Sequence, residues 1–448
     1  MELRGYQVDA LSTMLKHGRV VYADAPGTGK TATTLRWLDQ VCAHRALVVA
    51  PLSVIYHWQR QAETWAPSRK FAICHGNMKR REVALQAVSE GRADTLVINY
   101  DNLDRESVSL IALGFDTLVF DEAHRLKNRS ALVHKAAVKL TRRAEHVAMV
   151  TGTPLLNSAE ELWALLHLLW PKTYKSFWRW ADEHFNIRVE NFRLRPVKIL
   201  EGLKEGHEAI LRTQLGDALI RQDIDLGLPP IVETSLAVEL SPKEREAYDT
   251  MLKKFWMRVG NEIVQAPNAV SKIVRLRQVA SGTFDDLDEP GEDMYRTKIR
   301  AAVSLVKDLA PEQVVVLCAF KSTAYSLAKV VGGEVYSGDQ GATDRAGIVE
   351  RFVSGELKVI VGTHGALGEG VDGLQVAHNM VLLDQDWTPA RNEQAIARLH
   401  RSGQRGTVNV WRIIAKDSID EMILETLERK DAVIGAVLQA GIPANRST

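Results

Sequence analysis

Three short stretches carry residues whose types and spacing suit work on phosphate groups. The first is Asp24-Ala25-Pro26-Gly27-Thr28-Gly29-Lys30-Thr31, preceded by the apolar run Val20–Ala23 and followed by a helical pattern. Glycines at 27 and 29 let the backbone curl so that N–H groups point at phosphate oxygens, and the start of the next helix adds positive partial charge. In such a loop Lys30 neutralises the β- and γ-phosphates and the Thr31 hydroxyl ligates magnesium. Asp24 stands where the usual pattern has its first glycine. The second stretch is Asp121-Glu122-Ala123-His124, at the end of the apolar run Leu118–Phe120. Here Asp121 is suited to hold hydrated magnesium, and Glu122 to orient and deprotonate a water molecule. The third is Gln394, Arg398 and Arg401, within the helical pattern Ala390–Ser402. Arginines three apart project from one helix face. Their planar guanidinium groups suit the charge of a transferring phosphoryl group.

Short apolar runs are placed to position these groups. One series is Val20–Asp24, Ala46–Ala50, Thr95–Asn99, Thr117–Phe120 and Val147–Val150, with helical stretches such as Ala32–Cys42 and Ser53–Thr64 between. A second series is Val314–Ala319, Val359–Val361, Met380–Leu383 and Val408–Ile414, interleaved with Ser322–Val331 and Ala342–Val353. Runs of this length and apolarity fit strands buried on both faces of a parallel sheet. Two successive arrays predict an α/β chain of two lobes. Ligands of open α/β sheets bind at the carboxyl ends of the strands, where both the glycine loop and the acidic box fall.

The stretch from Leu155 to Ile299 differs in character. Glu160–Trp170 and Pro242–Val259 read as helices, and Trp163, Trp170, Trp178 and Trp180 crowd the first part, where they are expected to supply core area. Gly227-Leu228-Pro229-Pro230 reads as a linker. Lys plus Arg is 57 against Asp plus Glu 56, which rules out a polycation or an acidic tail as a description of the whole. Cys42, Cys74 and Cys318 are too scattered for a zinc site or a disulfide framework and are expected to be reduced thiols. No apolar run is long enough to cross a bilayer as a helix.

Together these motifs resemble the Swi/Snf family of superfamily-two helicases. Leu3-Arg4-Gly5-Tyr6-Gln7 resembles its adenine-recognising Gln motif and Asp24–Thr31 its phosphate loop, with Ala25-Pro26 where Glu-Met is usual. Ala50-Pro51-Leu52-Ser53-Val54 with Trp58 resembles motif Ia, and Asn99-Tyr100 motif Ib. Asp121 to Asn128 matches the family form of motif II over eight residues. Thr151-Gly152-Thr153-Pro154-Leu155 with Asn157 resembles motif III, and Leu276-Arg277-Gln278 a signature before motif IV. Gly365–Asp372 resembles motif V, with Glu369 and Asp372 replacing Leu and Asn. Asp386-Trp387-Thr388-Pro389 and the string from Gln394 to Gln404 resemble the end of the family's motor.

The resemblance implies two RecA-like lobes with helical insertions between motifs III and IV. The boundaries are then 1–157 for lobe 1, 158–226 for its insertion, 227–235 for a linker, 236–296 for the second insertion, 297–416 for lobe 2 and 417–448 for a brace helix and tail. It implies ATP and magnesium as cofactors, double-stranded DNA as partner, and DNA-stimulated ATP hydrolysis that drives translocation. Catalysis is expected from Lys30, Asp121, Glu122, Arg398 and Arg401. Nucleotide contacts are expected from Arg4, Gln7, Gly27, Thr28, Gly29, Lys30, Thr31, Gly370 and Asp372, with magnesium on Thr31 and Asp121. Ser53, Tyr100, Thr151, Gly152, Thr153 and Thr363 are expected to contact DNA or couple it to hydrolysis. A monomeric motor in a prokaryotic or viral cytoplasm, working beside protein partners on DNA, completes the expectation. The alternatives are a strand-separating DNA or RNA helicase of the same superfamily and an ATP-gated DNA-binding module. The near-zero net charge predicts modest, salt-sensitive DNA binding.

Overall fold

A computed structural model describes residues 2–41, 44–192, 195–254, 256–259, 262–265, 268–282, 297–368 and 371–438. The chain forms two compact units, residues 1–224 with those from 431 onward, and residues 225–430.

The first unit is built on a seven-stranded parallel sheet. Its strands are β1 (Arg19–Tyr22), β2 (Ala46–Ala50), β3 (Phe71–Cys74), β4 (Thr95–Asn99), β5 (Thr117–Asp121) and β6 (His146–Val150). A hairpin, β7 (Phe185–Phe192) and β8 (Arg195–Leu203), precedes the seventh sheet strand, β9 (Leu219–Ile220). The sheet order is β3-β4-β2-β5-β6-β1-β9. Both faces are covered, so the strands read as continuous apolar runs rather than alternating ones. Val21, Leu47, Val49, Leu96, Leu118 and Phe120 enter one core, and Val20, Tyr22, Val48, Val97 and Val119 enter the other. The order β5-β6-β1 sets the acidic box, Thr151 and the glycine loop side by side at the carboxyl edge, where Ser53 and Tyr100 also emerge after β2 and β4.

The second unit has a six-stranded sheet. It contains β10 (Ile231–Val238), then, after the hairpin β11 (Trp256–Val259) and β12 (Glu262–Gln265), the strands β13 (Val314–Cys318), β14 (Glu334–Tyr336), β15 (Val359–Thr363), β16 (Asn379–Leu382) and β17 (Val408–Ala415). The order is β10-β17-β16-β13-β15-β14, again all parallel. Two lobes of parallel α/β architecture are thus present, each a RecA-like layer arrangement.

Several elements differ from the sequence reading. Residues 231–235, read as linker, belong to β10, which pairs along its length with β17. Its residues are mostly exposed, so the buried apolar run that marks the other strands is missing. The helix read over Pro242–Val259 ends at Lys254, and Trp256–Val259 pairs antiparallel with Glu262–Gln265. The lobe 1 insertion holds the hairpin β7–β8 besides its helices. The tryptophans divide: Trp163 and Trp180 are buried in the lobe 1 core, while Trp178 is exposed. Among the described residues, no helix is long and apolar enough to cross a membrane.

Candidate functional site

The glycine loop leaves β1 and enters the helix Lys30–Gln40. Gly27 and Gly29 both take positive φ, 84° and 79°, a region open to glycine at little cost. A Cβ at Gly29 would fall 2.5 Å from the Gln7 side-chain nitrogen, so the loop has no room for a larger residue there. Gln7 is buried and its amide is fully engaged. Oε1 accepts the Arg4 N–H at 2.8 Å, while Nε2 donates to the carbonyls of Thr28 at 3.1 Å and Gly29 at 3.3 Å. The Tyr6 hydroxyl also donates to Thr28 O, at 3.1 Å. The segment read as adenine-recognising therefore braces the phosphate loop. Arg4 is exposed, with its guanidinium 3.4 Å from the Tyr6 hydroxyl.

Asp24 acts as a strut. One carboxylate oxygen accepts the Gln222 N–H at 2.8 Å, and Gln222 donates from its own side chain to Tyr6 O at 3.1 Å. Burial pushes the Asp24 carboxyl above its usual range. Gln222 lies just beyond β9, and no local pattern marks it in the sequence. Lys30 donates to the carbonyls of Asp24 at 2.7 Å and Ala25 at 2.9 Å. Burial pulls its pKa down, and the nearby charges of Glu122, Asp24 and Asp121 oppose that shift. The loop lysine and the acidic box therefore lie within electrostatic reach of one another.

In the acidic box, Asp121 Oδ2 accepts the Trp58 indole N–H at 2.8 Å, and Oδ1 accepts the Glu122 N–H at 3.1 Å. Its carbonyl accepts the Tyr100 hydroxyl at 2.6 Å. Burial, then the neighbouring Glu122 charge, pushes the Asp121 carboxyl up to about 6. Glu122 has left-handed backbone angles, φ 52° and ψ 52°. A non-glycine residue there costs on the order of 1–2 kcal/mol. The conformation turns its side chain toward motif III: Glu122 Oε2 lies 3.2 Å from His124 Nδ1 and 3.5 Å from the Thr151 hydroxyl. Thr151 Oγ1 also accepts the Thr153 N–H at 3.1 Å. His124, quoted only as part of a motif, is thus the third member of this network. Gly152 packs on Pro26, with an ideal Cβ 3.1 Å from the proline ring. Beyond the box, Lys127 pairs with Glu161 at 2.9 Å. Glu161 also accepts the N–H groups of Leu156 at 2.7 Å and Asn157 at 3.1 Å, which ties motif II to the end of motif III.

These residues fit a nucleotide with a hard divalent cation. The loop offers backbone N–H groups at the start of an eleven-residue helix. Asp121 is a half-buried carboxylate whose pKa is raised by desolvation and then by the neighbouring Glu122 charge, a setting that favours a cation. Among the described residues no three His, Cys, Asp or Glu gather as a metal cage. Magnesium ordinarily takes one or two protein oxygens, and its remaining positions go to water and substrate phosphates. Ser53 is exposed on the turn Leu52–Val54, whereas Tyr100 is buried, with its hydroxyl committed to Asp121.

In the second unit the arginines do not lie on a helix. The helix Pro389–Ile396 ends before them, and residues 397–402 run in turns. Tertiary bonds replace helical ones: Arg398 Nε donates to Gly368 O at 3.0 Å, and Gln404 Nε2 donates to Leu399 O at 3.2 Å and Ala377 O at 2.9 Å. Arg401 pairs with Asp372 at 2.5 Å, and Asp372 is largely exposed. Both arginines thus meet the segment that resembles motif V, where Gly370 lies outside the described residues. Thr363 ends β15, half-buried.

The second unit also holds a charge cluster that sequence reading missed. Lys298, fully buried, pairs with Asp384 at 3.0 Å and Asp420 at 2.8 Å. Asp384 further accepts the Ser281 hydroxyl at 2.5 Å and the Ala319 N–H at 2.9 Å. Arg277 donates to the adjacent Gln385 carbonyl.

Comparisons with known proteins agree with these motifs. Residues 6–283 match the SNF2-related domain, and residues 297–403 match the helicase conserved C-terminal domain. Among curated relatives, Protein CHROMATIN REMODELING 5 of Arabidopsis thaliana is 28% identical over 98% of this chain and 27% of its own length. Transcription regulatory protein SNF2 of Saccharomyces cerevisiae is 26% identical, over 100% of this chain and 28% of its own. ISWI chromatin-remodeling complex ATPase CHR11 of Arabidopsis thaliana is 28% identical, over 100% and 44%. The chain therefore spans less than half the length of these relatives. The solved Sulfolobus solfataricus SWI2/SNF2 ATPase core in complex with dsDNA is 21% identical, covering 98% of this chain and 94% of that one, with a TM-score of 0.44. With its SNF2-related and helicase C-terminal domains together spanning most of its length, the chain belongs to the SNF2 family of helicase-like ATPases.

Proposed function

We propose that this chain hydrolyses ATP with magnesium when bound to double-stranded DNA and uses the cycle to move along the duplex. The observation that supports this best is in lobe 1. A phosphate loop and a carboxylate pair emerge from one edge of one parallel sheet, with Lys30 in the field of both Asp121 and Glu122. Lys30 and the loop N–H groups bind the phosphates, Thr31 and Asp121 hold the cation, and Glu122 takes the proton from the attacking water. When bound, magnesium draws charge from the phosphate oxygens. Arg398 and Arg401 belong to the proposal by their motif, as guanidinium groups suited to the charge of a transferring phosphoryl group. Gly370 is included among the nucleotide contacts by its motif alone. Gln7 serves the nucleotide by holding the loop, and Arg4 is included among the nucleotide contacts by its motif.

For the partner, support comes from the motif II extension Arg125–Asn128 and from relatives named as chromatin-remodelling ATPases. Thr151, Gly152 and Thr153 relay between the sites, with Ser53 and Thr363 on the DNA side. A cytoplasmic place in a prokaryotic or viral cell belongs to the same proposal. It is compatible with Cys74 and Cys318 being buried free thiols. The test is ATP turnover with duplex DNA, single-stranded DNA, RNA and no nucleic acid, for the wild type and for Lys30→Ala. Duplex-specific stimulation that Lys30→Ala abolishes is expected, and equal turnover in all four conditions refutes the reading. Triplex displacement without strand separation supports translocation, while efficient unwinding points to a strand-separating helicase. Nucleotide-dependent DNA binding with no hydrolysis points to an ATP-gated binding module.

A further inference from the structure

Two segments that follow neighbouring strands of lobe 1, an exposed turn with its helix and a short, mostly buried helix, reach the same residue at the carboxyl edge of the sheet. Trp58 sits on the helix Ile55–Trp65, directly after the turn Leu52–Val54 that exposes Ser53. Its ring is fully buried, and its indole N–H donates to the Asp121 carboxylate at 2.8 Å. Tyr100 opens the short helix Tyr100–Leu103 after β4. Its hydroxyl donates to the Asp121 carbonyl at 2.6 Å. One segment thus grips the Asp121 side chain, and the other grips the peptide that leads into Glu122.

Simple satisfaction of buried polar groups does not account for this convergence. An indole N–H only donates, and a buried one usually finds some acceptor. Yet the indole nitrogens of Trp37 and Trp163 in the same lobe are buried without a protein partner. The pairing of Trp58 with the one carboxylate assigned to magnesium is therefore not imposed by burial. The bond occupies one oxygen and leaves lone pairs of the carboxylate free for a cation or its water shell. Tyr100 acts on the backbone instead. Its bond fixes the plane of the Asp121–Glu122 peptide, immediately before the residue with left-handed φ. Rotation of that peptide would swing the Glu122 carboxylate away from Thr151 and His124.

We infer that Trp58 and Tyr100 are positioning residues that connect the exposed turn at Ser53 and the short helix Tyr100–Leu103, which exposes Asp101, to the two catalytic carboxylates, so that nucleic acid held at those segments sets the rate of hydrolysis. This inference rests on the reading of the chain as a DNA-stimulated ATPase. Both side chains are buried. Each acts through Asp121, Trp58 on its carboxylate and Tyr100 on its main chain.

The test uses the full chain with Trp58→Phe and Tyr100→Phe, which keep the rings and remove only the donors. Both variants are expected to lose about tenfold in the ratio of duplex-stimulated to unstimulated turnover, a size typical of coupling between two sites. Binding of a fluorescent ADP analogue, with and without magnesium, separates the two roles. Trp58→Phe weakens binding only when magnesium is present. Tyr100→Phe leaves both affinities at the wild-type level. A wild-type chain that duplex DNA does not stimulate overturns the parent reading and this inference with it. A stimulated wild type whose folded variants keep the full ratio overturns the inference alone. If Trp58→Phe fails to fold by circular dichroism, the smaller change Tyr100→Phe decides the outcome.

Discussion

At the scale of single residues, Glu122 combines strain with chemistry. Its left-handed backbone is uncommon for a residue with a side chain, and such conformations persist where surrounding contacts over-determine them. Here the determinants are the Asp121 carboxylate on its N–H and the contacts to His124 and Thr151. Glu122→Gln keeps the shape and loses the base. Turnover is expected to fall by about 10²–10⁴, the usual contribution of a positioned general base. Affinity for ATP in a filter-binding assay should be retained. A loss of binding equal to the loss of turnover would assign Glu122 to holding the nucleotide rather than to proton transfer.

A pair of histidines, His134 of lobe 1 and His167 of its insertion, gives a second residue-scale expectation. His134 bonds Leu126 O at 2.7 Å and lies 3.5 Å from His167, and the two rings pack around Trp163. Burial, followed by the charge of His134, pulls the His167 pKa down to about 4, and burial lowers that of His134 as well. In the folded chain both therefore favour the neutral form. The unfolded chain, with ordinary histidine values near 6.5, binds protons first as pH falls. Their contribution to stability is therefore complete above about pH 6.5 and is lost as pH drops toward 4. The midpoint of urea unfolding should fall over that range. A His167→Gln variant should show a shallower fall, and an identical slope would assign the effect to other groups.

At the scale of elements, the second sheet depends on a buried lysine. Lys298 joins the helix Thr297–Asp308 to Asp384 after β16 and to Asp420 in the helix Ile419–Leu438. Burial alone would lower its pKa, but the two carboxylates outweigh that and raise it. Lys298→Met would leave two buried carboxylates facing each other. A loss on the order of 3–5 kcal/mol is expected when one member of a buried ion group is removed. Chemical unfolding of Lys298→Met beside Lys298→Met with Asp384→Asn checks this, since the double change should recover part of the loss.

Most elements were legible because buried parallel strands are apolar throughout. β2, β4 and β5 coincide with the predicted runs to within a residue. Besides the two hairpins, the strands missed in the large sheets were the edge strands β3, β9, β10 and β14, which are short, partly exposed or both. An edge strand need not bury both faces, so no apolar run betrays it. The glycine loop and the acidic box were legible because their chemistry is local in sequence. The bonds that hold them were not, since Gln222 and Asp24 are 198 residues apart and Trp58 and Asp121 are 63 apart. The arginine turn misled for a related reason. Its residues keep a helical spacing, but bonds to Gly368, Ala377 and Asp372 hold the chain in turns.

At the scale of the whole molecule, the nearly balanced charge bears on how the motor would hold DNA. Duplex affinity, measured against salt with and without a non-hydrolysable ATP analogue, should fall as salt rises with a shallow slope, since few phosphates are neutralised. A slope as steep as that of a strongly basic DNA-binding protein would contradict the modest DNA binding expected from the balanced charge.

The helix Ile419–Leu438 has a further consequence. Its last residues, Val437 and Leu438, are buried in the lobe 1 core, and Arg212 donates twice to Ala436 O. Lobe 1 is therefore discontinuous along the chain, and its core lacks a piece until the ribosome has made everything in between. The ATP-binding half would emerge first yet close last. A nascent chain halted at residue 430 should present a phosphate loop on a loosened scaffold, more open to protease than the same residues in the finished protein.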